Sequence, residues 1–216
     1  MTKLVFFDLD GTLIDGPSSE IQFFLFLLQK CYFGFRQALA SFVFIGRWFG
    51  HFKKEVFVKD KAYLNGLPVS DITSLATQFT QQRLLPSVRA HIKQRLDEHL
   101  RNKDIVILLT GSPDFIASVF AEHFGISELY ATKFVLNANN DRFSEEPPTQ
   151  HPYALEKLKI AKVVCDKYKM PISETIAYAN SIHDYALLNA CGVPIVVTPD
   201  RKLRRVAAAK NWTVID

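Results

Sequence analysis

Two carboxylates near the start of the chain are spaced so that they can share one chemical site. The apolar run Leu4–Phe7 leads into Asp8 and Asp10, with Gly11 and Thr12 directly after them. Side chains two positions apart on a strand point the same way, so Asp8 and Asp10 face one site. Two acids held side by side repel each other, which requires a cation or a shared proton. The alternative is a buried strand that ends in an ordinary turn, where Asp and Gly are common.

Polar side chains also follow two later apolar segments, residues 104–109 and 175–179. The polar residues after these segments are Thr110, Gly111 and Ser112, and Asn180 and Asp184. Hydroxyls and backbone N–H groups at the start of a helix bind anions well, which makes residues 110–112 a candidate anion site.

Strand-like and helix-like segments alternate along the chain, and each strand-like segment is apolar throughout. Strands of this kind are typical of a parallel sheet that helices cover on both faces. The predicted fold class is therefore α/β, a doubly wound parallel sheet. Ligands bind outside the carboxyl ends of the strands in such sheets, so the three polar clusters are expected to form one site.

Local signals place several helices between these strands. Ser112 is expected to cap a helix that starts at Pro113 and stops at Gly125. Residues 153–169 are expected to be helical. The residues expected on the inward face of that helix are Leu155, Leu158, Ala161, Val164 and Tyr168.

The stretch at residues 21–52 is unusually rich in apolar and aromatic side chains. Charged residues such as Lys30 and Arg36 interrupt it, whereas a bilayer crossing needs about 20 apolar residues. Gly34, Gly46 and Gly50 are expected to divide it into helical pieces. Two interpretations remain open: a small helical subdomain with its own aromatic core, or an apolar surface for a substrate or a membrane.

Composition excludes several broad classes of protein. The chain has 216 residues, of which 48% are apolar and 22% charged, as in ordinary globular proteins. A net charge of +4 with scattered basic residues gives little support to nucleic-acid binding, and no nucleic-acid partner is predicted. Cys31, Cys165 and Cys191 are far apart and read as free thiols of a reducing compartment. Without a recognisable signal peptide, the expected location is the cytoplasm.

Together the polar clusters resemble the four motifs of the haloacid dehalogenase (HAD) superfamily. The residues that carry the resemblance are Asp8-Leu-Asp-Gly-Thr12, Thr110 at a strand end, Lys157 on a helix, and Asn180-Ser-Ile-His-Asp184. Residues 178–200 are similar to the phosphoserine-phosphatase-like branch, subfamily IB. The resemblance covers essentially the whole chain. It implies a HAD Rossmann-like core at residues 1–14 and 92–216 and an inserted all-helical cap at residues 15–91.

This resemblance implies a phosphatase that works through an aspartyl phosphate. Asp8 would be the nucleophile, and Asp10 would act as general acid and then as general base toward water. Dehalogenases of the superfamily generally lack an acid at the position of Asp10. Thr110 and the amides of Gly111 and Ser112 would bind the oxygens of the phosphate.

The implied counter-charge is a lysine on the helix before the fourth motif. Lys157, Lys159 and Lys162 all lie on that predicted helix. The spacing that the family shows between this helix and the fourth motif favours Lys157. The alternative for each of the three is an ordinary solvated lysine.

Mg²⁺ is the implied cofactor, because the ligand set consists of oxygen atoms. The set comprises Asp8, the backbone carbonyl of Asp10, Asn180 and Asp184. The family usually carries Asp where this chain has Asn180, and an amide oxygen brings no charge. Asp184 lies one helical turn beyond Asn180, so both can face one cation. His183 is interpreted as a surface or neighbouring residue rather than a catalytic one.

The cap is expected to select the substrate, because the core supplies only the phosphate chemistry. Its many aromatic residues favour an apolar phosphomonoester or a lipid phosphate, as in some branch members with apolar caps. The alternatives are phosphoserine or another small metabolite, a phosphoprotein, and a non-catalytic phosphate-binding module at a membrane surface. Peripheral membrane contact through the cap is a candidate interaction, and the sequence predicts no oligomeric state.

Overall fold

The computed structural model of the chain describes residues 2–53 and 56–216, which are organised around one β-sheet. Its strands are β1 (Leu4–Phe7), β2 (Ile105–Pro113), β3 (Glu128–Thr132), β4 (Ile176–Ala179), β5 (Val193–Val197) and β6 (Thr213–Ile215). They lie in the order β3-β2-β1-β4-β5-β6, and every pairing is parallel. Because the order reverses between β1 and β4, the sheet is doubly wound, as predicted.

Strand β1 occupies the middle of the sheet because its side chains are apolar on both faces. Val5 and Phe7 enter one hydrophobic cluster, whereas Leu4 and Phe6 enter the cluster on the opposite face. This alternation is the two-residue period of a strand. All four side chains are at most 1% exposed. This packing fixes the position of β1, and so of the residues that follow its carboxyl end.

Helices cover both faces of the sheet. In the described residues they are α1 (Ser19–Gln29), α2 (Phe35–Phe52), α3 (Val56–Lys59), α4 (Val69–Phe79), α5 (Ala90–Arg101), α6 (Asp114–Phe124), α7 (Leu155–Tyr168), α8 (Tyr185–Ala190) and α9 (Arg201–Lys210). Helices α1, α4, α5 and α6 pack with Val5 and Phe7, and helices α7, α8 and α9 pack with Leu4 and Phe6.

Helix α2 differs from the sequence expectation. The expected breaks at Gly46 and Gly50 are wrong, because the helix runs unbroken through both. A glycine within a helix costs only about 1 kcal/mol relative to alanine. Burial of the opposite face through Ala40 and Phe44 offsets that cost. The break expected at Gly34 is confirmed, since this residue separates α1 from α2.

Strand β2 is longer than the sequence indicates. It continues through Ser112 to Pro113, and α6 begins only at Asp114. The expected helix cap at Ser112 is therefore wrong. Pairing of Pro113 with Thr132 of β3 holds this segment extended, which local sequence signals do not reveal.

The helical stretch at residues 15–91 shares much of its core with the sheet. Phe23 and Phe26 of α1 and Phe79 of α4 lie in the same cluster as the β1 side chains. Helix α5 begins at Ala90, so the expected boundary between residues 91 and 92 falls inside a helix. The division into a core and a cap stays a prediction.

Candidate active site

The polar ends of β1, β2 and β4 meet in one pocket of about 340 Å³ at the carboxyl edge of the sheet. The amide of Asp8 donates to the Tyr178 carbonyl at 3.0 Å, which ties the end of β1 to β4. The sequence-predicted residues that line the pocket are Asp8, Asp10, Thr110, Gly111, Lys157, Asn180 and Asp184. The pocket lies where the strand order reverses, which is where doubly wound sheets bind ligands.

A buried ammonium group joins two of the carboxylates. Lys157 Nζ lies 2.8 Å from Asp8 Oδ1 and 2.9 Å from Asp184 Oδ1. All three residues are at most 8% exposed. Such short, charge-assisted hydrogen bonds fix the orientation of both carboxylates. Among the described residues, Asp8 Oδ2 accepts only a longer hydrogen bond of 3.4 Å from the Thr12 hydroxyl.

Burial and the opposite charge of the partner shift the pKa values of Lys157 and Asp184 in opposite directions. Burial lowers the pKa of Lys157, but Asp184 and Asp8 outweigh it and raise that pKa above its ordinary value. Burial, with help from Asp8, raises the pKa of Asp184, although Lys157 partly offsets the effect. Lys157 is thus a permanent cation at neutral pH, and the carboxylates around it exceed its charge.

Asp10 is held from two sides by hydroxyl and amide donors. The Ser19 amide and hydroxyl donate to it at 2.9 and 3.1 Å, and Ser112 Oγ donates at 2.9 Å. Burial nevertheless raises the pKa of Asp10 to about 6, with a further contribution from Asp8. Ser19 is the first residue of α1, so the Asp10 carboxyl accepts hydrogen bonds from the N-terminus of this helix. The sequence reasoning did not identify Ser19, because nothing in its local pattern reveals this contact.

The raised pKa of Asp10 predicts pH-dependent stability of the metal-free protein. Between 3.8 and about 6, the carboxyl ionises in the unfolded chain but stays protonated in the folded one. Stability is therefore lost as pH rises through this interval, by roughly 3 kcal/mol. Since Asp10→Asn lacks this titration, the unfolding free energy of the natural protein should fall relative to that of the variant between about pH 4 and about pH 6.

Urea unfolding in the presence of EDTA measures this difference. Asp166→Asn is the matched control, because Asp166 lies at an exposed position of α7. A difference between Asp10→Asn and the natural protein that does not change with pH would contradict the raised pKa.

Thr110 and Ser112 connect to Asp10 through a chain of hydroxyls. Thr110 Oγ1 lies 2.8 Å from Ser112 Oγ, which in turn contacts Asp10. The Ser112 amide donates to Thr110 Oγ1 at 3.1 Å, so it is already engaged within the protein. The sequence expectation had this amide facing a phosphate. Gly111 lines the pocket, where a Cβ would lie 3.4 Å from the Pro152 carbonyl oxygen.

The oxygen atoms of this pocket fit a hard divalent cation. Asp8 and Asp184 supply carboxylates, and the backbone carbonyl of Asp10 and the amide of Asn180 are the other predicted donors. Gly11 has a φ of +73°, and a Cβ on it would lie 2.0 Å from Asn180 Nδ2, so only glycine leaves room for that amide. No three His, Cys, Asp or Glu side chains form a metal-binding group among residues 2–53 and 56–216. Mg²⁺ needs only one or two carboxylates, with water and phosphate completing its shell.

A family model for haloacid dehalogenase-like hydrolases matches residues 5–189. The chain belongs to this family. The matched range includes every predicted site residue, from Asp8 to Asp184. The predicted superfamily and fold class are confirmed, and so is the prediction that the chain is an enzyme.

Curated relatives of this haloacid dehalogenase-like hydrolase align along nearly its whole length. Phosphoserine phosphatase SerB1 of Mycobacterium tuberculosis is 23% identical over 100% of this chain and 71% of its own length. The inhibition of morphological differentiation protein of Streptomyces azureus is 27% identical over 98% of this chain and 77% of its own. These relatives are longer than the chain described here.

Solved structures share the same fold. A protein of unknown function from Bordetella pertussis Tohama I matches with a TM-score of 0.71 and 20% identity, covering 100% of this chain and 99% of that chain. A phosphoserine phosphatase in its apo form matches with a TM-score of 0.66 and 14% identity, covering 100% and 94%. At these identities the matches establish the fold.

Of the three lysines considered for the family's counter-charge, one reaches the pocket. Lys157 does so from the buried side of α7. Lys159 is 71% exposed and pairs with Glu156 at 3.0 Å on the surface. Lys162 is exposed as well. The geometry favours Lys157, and its chemical role stays a prediction.

His151 also lines the pocket, although the sequence reasoning did not select it. The Thr132 hydroxyl donates to the Gly111 carbonyl at 2.5 Å, so His151 Nδ1, 2.8 Å from that hydroxyl, must be the donor to it. Burial and nearby lysines lower the pKa of His151 to about 3, which leaves the ring neutral. Nε2 is a buried acceptor without a hydrogen-bond partner among the described residues. It is therefore a candidate contact for a ligand donor, whereas His183 is exposed.

Proposed function

We propose that this protein is a Mg²⁺-dependent phosphomonoesterase that transfers a phosphoryl group first to Asp8 and then to water. The observation that carries the proposal is the buried Lys157 ammonium within 2.9 Å of both Asp8 and Asp184, beside the protonatable Asp10. The phosphatase among its relatives supports the same class, the phosphoric monoester hydrolases.

Asp8 and Asp10 would divide the chemistry between them. Lys157 holds Oδ1 of Asp8, which leaves the loosely bonded Oδ2 as the atom that attacks phosphorus. Asp10 has a pKa of about 6, so part of the population is protonated near neutral pH. It would give this proton to the departing oxygen and later take one from the water that hydrolyses the intermediate.

The remaining pocket residues would hold the phosphoryl group and its charge. Lys157 would neutralise charge that develops during transfer, and the Thr110 hydroxyl and Gly111 amide would contact phosphate oxygens. Ser112 would act as a positioning residue, because its hydroxyl holds Asp10 and its amide is engaged with Thr110.

Mg²⁺ would be held by Asp8, Asp184, Asn180 and the backbone carbonyl of Asp10. When bound, it would balance the negative charge of the phosphate and of the carboxylates. Because Asn180 contributes no charge, the affinity for Mg²⁺ should be lower than with a carboxylate there.

The test is phosphate release from 4-nitrophenyl phosphate. We expect turnover with Mg²⁺ and its loss when EDTA removes the metal. Asn180→Asp should lower the half-saturating Mg²⁺ concentration about tenfold, since ligand charge tunes cation affinity. Asn140→Asp, on an exposed turn, is the matched control and should change nothing. Turnover that survives EDTA would overturn the proposed function, and an unchanged Mg²⁺ dependence in Asn180→Asp would remove Asn180 from the ligand set.

The substrate class remains part of the proposal. A phosphoserine-like metabolite is the alternative that the named relative supports, and the helical stretch at residues 15–91 would act as the selecting cap. An apolar phosphomonoester is favoured by the aromatic residues of that stretch. The three cysteines are free thiols, in keeping with a reducing compartment, and the cytoplasmic location stays a prediction.

A further inference from the structure

An apolar cavity adjoins the catalytic pocket. It has a volume of about 510 Å³, which is within the usual range for small-molecule sites. Ser18 and Glu20 line both the cavity and the pocket, so the two spaces share a wall. Ser18 directly precedes Ser19, whose amide and hydroxyl hold Asp10. The cavity therefore starts beside the proposed general acid.

The remaining wall is apolar apart from Ser41, Asp60 and Lys61. Ile21 and Phe24 come from α1, Phe33 precedes α2, and Tyr63 follows α3. The Phe24 ring meets Phe33 edge-on at 5.1 Å and Tyr63 edge-on at 5.6 Å. These rings form a rigid apolar surface rather than a set of hydrogen-bonding groups.

Two charged groups of the wall, Lys61 and Glu20, pair with each other, and a third, Asp60, accepts a hydrogen bond from the Ala62 amide at 2.9 Å. Lys61 Nζ lies 2.7 and 2.6 Å from the two carboxylate oxygens of Glu20, and the Tyr63 hydroxyl donates to the same carboxylate at 3.1 Å. The Lys61 side chain is only 3% exposed. The carboxylate of a zwitterion such as phosphoserine would need a cation of the wall as its partner, and Lys61, the cation among the lining residues, is held by Glu20. Breaking this buried pair to supply that cation would be costly.

One side of the cavity leads to the surface of α1. Ile21 lines the cavity and is 56% exposed, and Leu25 on the same helix is 51% exposed. Residues 21–53 contain four Lys or Arg residues and neither Asp nor Glu. Among the lining residues outside that range, Glu20 and Asp60 are acidic and Lys61 is basic. No helix in the described part of the chain is long and apolar enough to cross a membrane.

We propose that this cavity binds the apolar group of the substrate, an alkyl chain of several methylenes or an aryl group joined to the phosphate. This inference rests on the proposed function, because it places the phosphate in the pocket beside Asp8. It names the substrate class of that site as an apolar phosphomonoester.

A series of alkyl phosphates tests the cavity. Butyl, hexyl, octyl and decyl phosphate are compared with phosphoserine, with Mg²⁺ and below the concentrations at which the esters aggregate. We expect kcat/KM to rise roughly five- to fifteenfold for each two added methylenes until the cavity is filled. Phosphoserine should be a poorer substrate than octyl phosphate. A kcat/KM that is independent of chain length, or a preference for phosphoserine, would overturn the inference.

Two matched variants distinguish an effect of the cavity wall from an effect of the exposed surface of α1. Ile21→Asn places an amide at the cavity wall and should reduce the ratio of kcat/KM for octyl over butyl phosphate at least fivefold. Leu25→Asn makes the same change one turn further along, outside the cavity wall, and should leave this ratio unchanged. An equal reduction of this ratio in both variants would assign the preference to the exposed face of α1 and overturn the inference.

Failure of the proposed function is distinguishable from failure of the cavity. If no ester releases phosphate, the proposed function fails. Binding of butyl and octyl phosphonate with Mg²⁺, measured by calorimetry, then tests whether the cavity binds an alkyl chain, independently of turnover. Tighter binding of octyl phosphonate that Ile21→Asn removes and Leu25→Asn keeps would support the cavity, and equal binding of both phosphonates would overturn it.

Discussion

Asparagine in place of Asp8 is expected to reduce phosphate release from 4-nitrophenyl phosphate by a factor of roughly 10⁴ or more. The amide keeps the shape of the carboxylate and can still accept a hydrogen bond from Lys157, but it cannot act as the nucleophile. The change also removes one negative charge from a buried site in which Asp8 and Asp184 share a single lysine and Asp10 feels the charge of Asp8. The metal-free variant should therefore be at least as stable as the natural protein.

Steady-state kinetics with Mg²⁺ and thermal unfolding with EDTA measure the two expectations for Asp8→Asn. Asp15→Asn is a suitable control, because it makes the same chemical change seven residues away, where the side chain is 69% exposed. It should keep its activity. Phosphate release by Asp8→Asn above about 1% of the natural rate, with Mg²⁺ dependence intact, would remove Asp8 from the nucleophilic role.

The opening strand shows which parts of the fold follow from local sequence. Residues 4–7 are apolar on both faces, and the structure places them in the middle of the sheet with their side chains in two separate clusters. Helix α9 is also determined locally, because the Asp200 side chain caps its start and its buried residues Leu203 and Ala207 lie four positions apart. In both cases the pattern of buried side chains and the flanking polar residues lie within a few positions of the element itself.

Features that depend on distant partners could not be predicted in this way. Ser112 lies in an extended strand because Pro113 pairs with β3, and the local Ser-Pro signal for a helix start loses to that pairing. The contacts of Ser19 with Asp10, and of His151 with Thr132, join residues nine and nineteen positions apart. Their chemical importance comes from the pocket they share and not from any motif.

Lys157 lies on the buried face of α7, and the sequence pattern of that face was interpreted differently. The expected inward position of Leu155 is wrong, because this side chain is 64% exposed, whereas those of Ala161 and Val164 are confirmed. The buried face begins at Lys157 and continues through Ala161 and Val164, a spacing of four and three residues. A lysine on the buried stripe of a helix needs a buried anion, and Asp8 and Asp184 provide two.

Replacing Lys157 with methionine should therefore affect both stability and catalysis. Methionine fills similar space but leaves Asp8 and Asp184 buried without their shared cation. Removing one partner from such a cluster costs about 3 to 5 kcal/mol of unfolding free energy in metal-free protein. The loss should be complete at neutral pH, because the raised pKa of Lys157 keeps the lysine charged there. It should shrink at acidic pH, where the raised pKa of Asp184 lets that carboxyl take up a proton first.

Added Mg²⁺ provides a second way to tell a charge effect from a packing effect in Lys157→Met. A divalent cation between the two carboxylates would replace part of the missing charge, so Mg²⁺ should raise the unfolding temperature more in the variant than in the natural protein. The kcat/KM for 4-nitrophenyl phosphate should still fall roughly 10²- to 10³-fold, since charge that develops in phosphoryl transfer loses its fixed partner. Lys159→Met, two residues along the same helix with a 71% exposed side chain, should change neither quantity. Equal behaviour of the two variants would mean that the buried ammonium does not stabilise the transferred phosphoryl group.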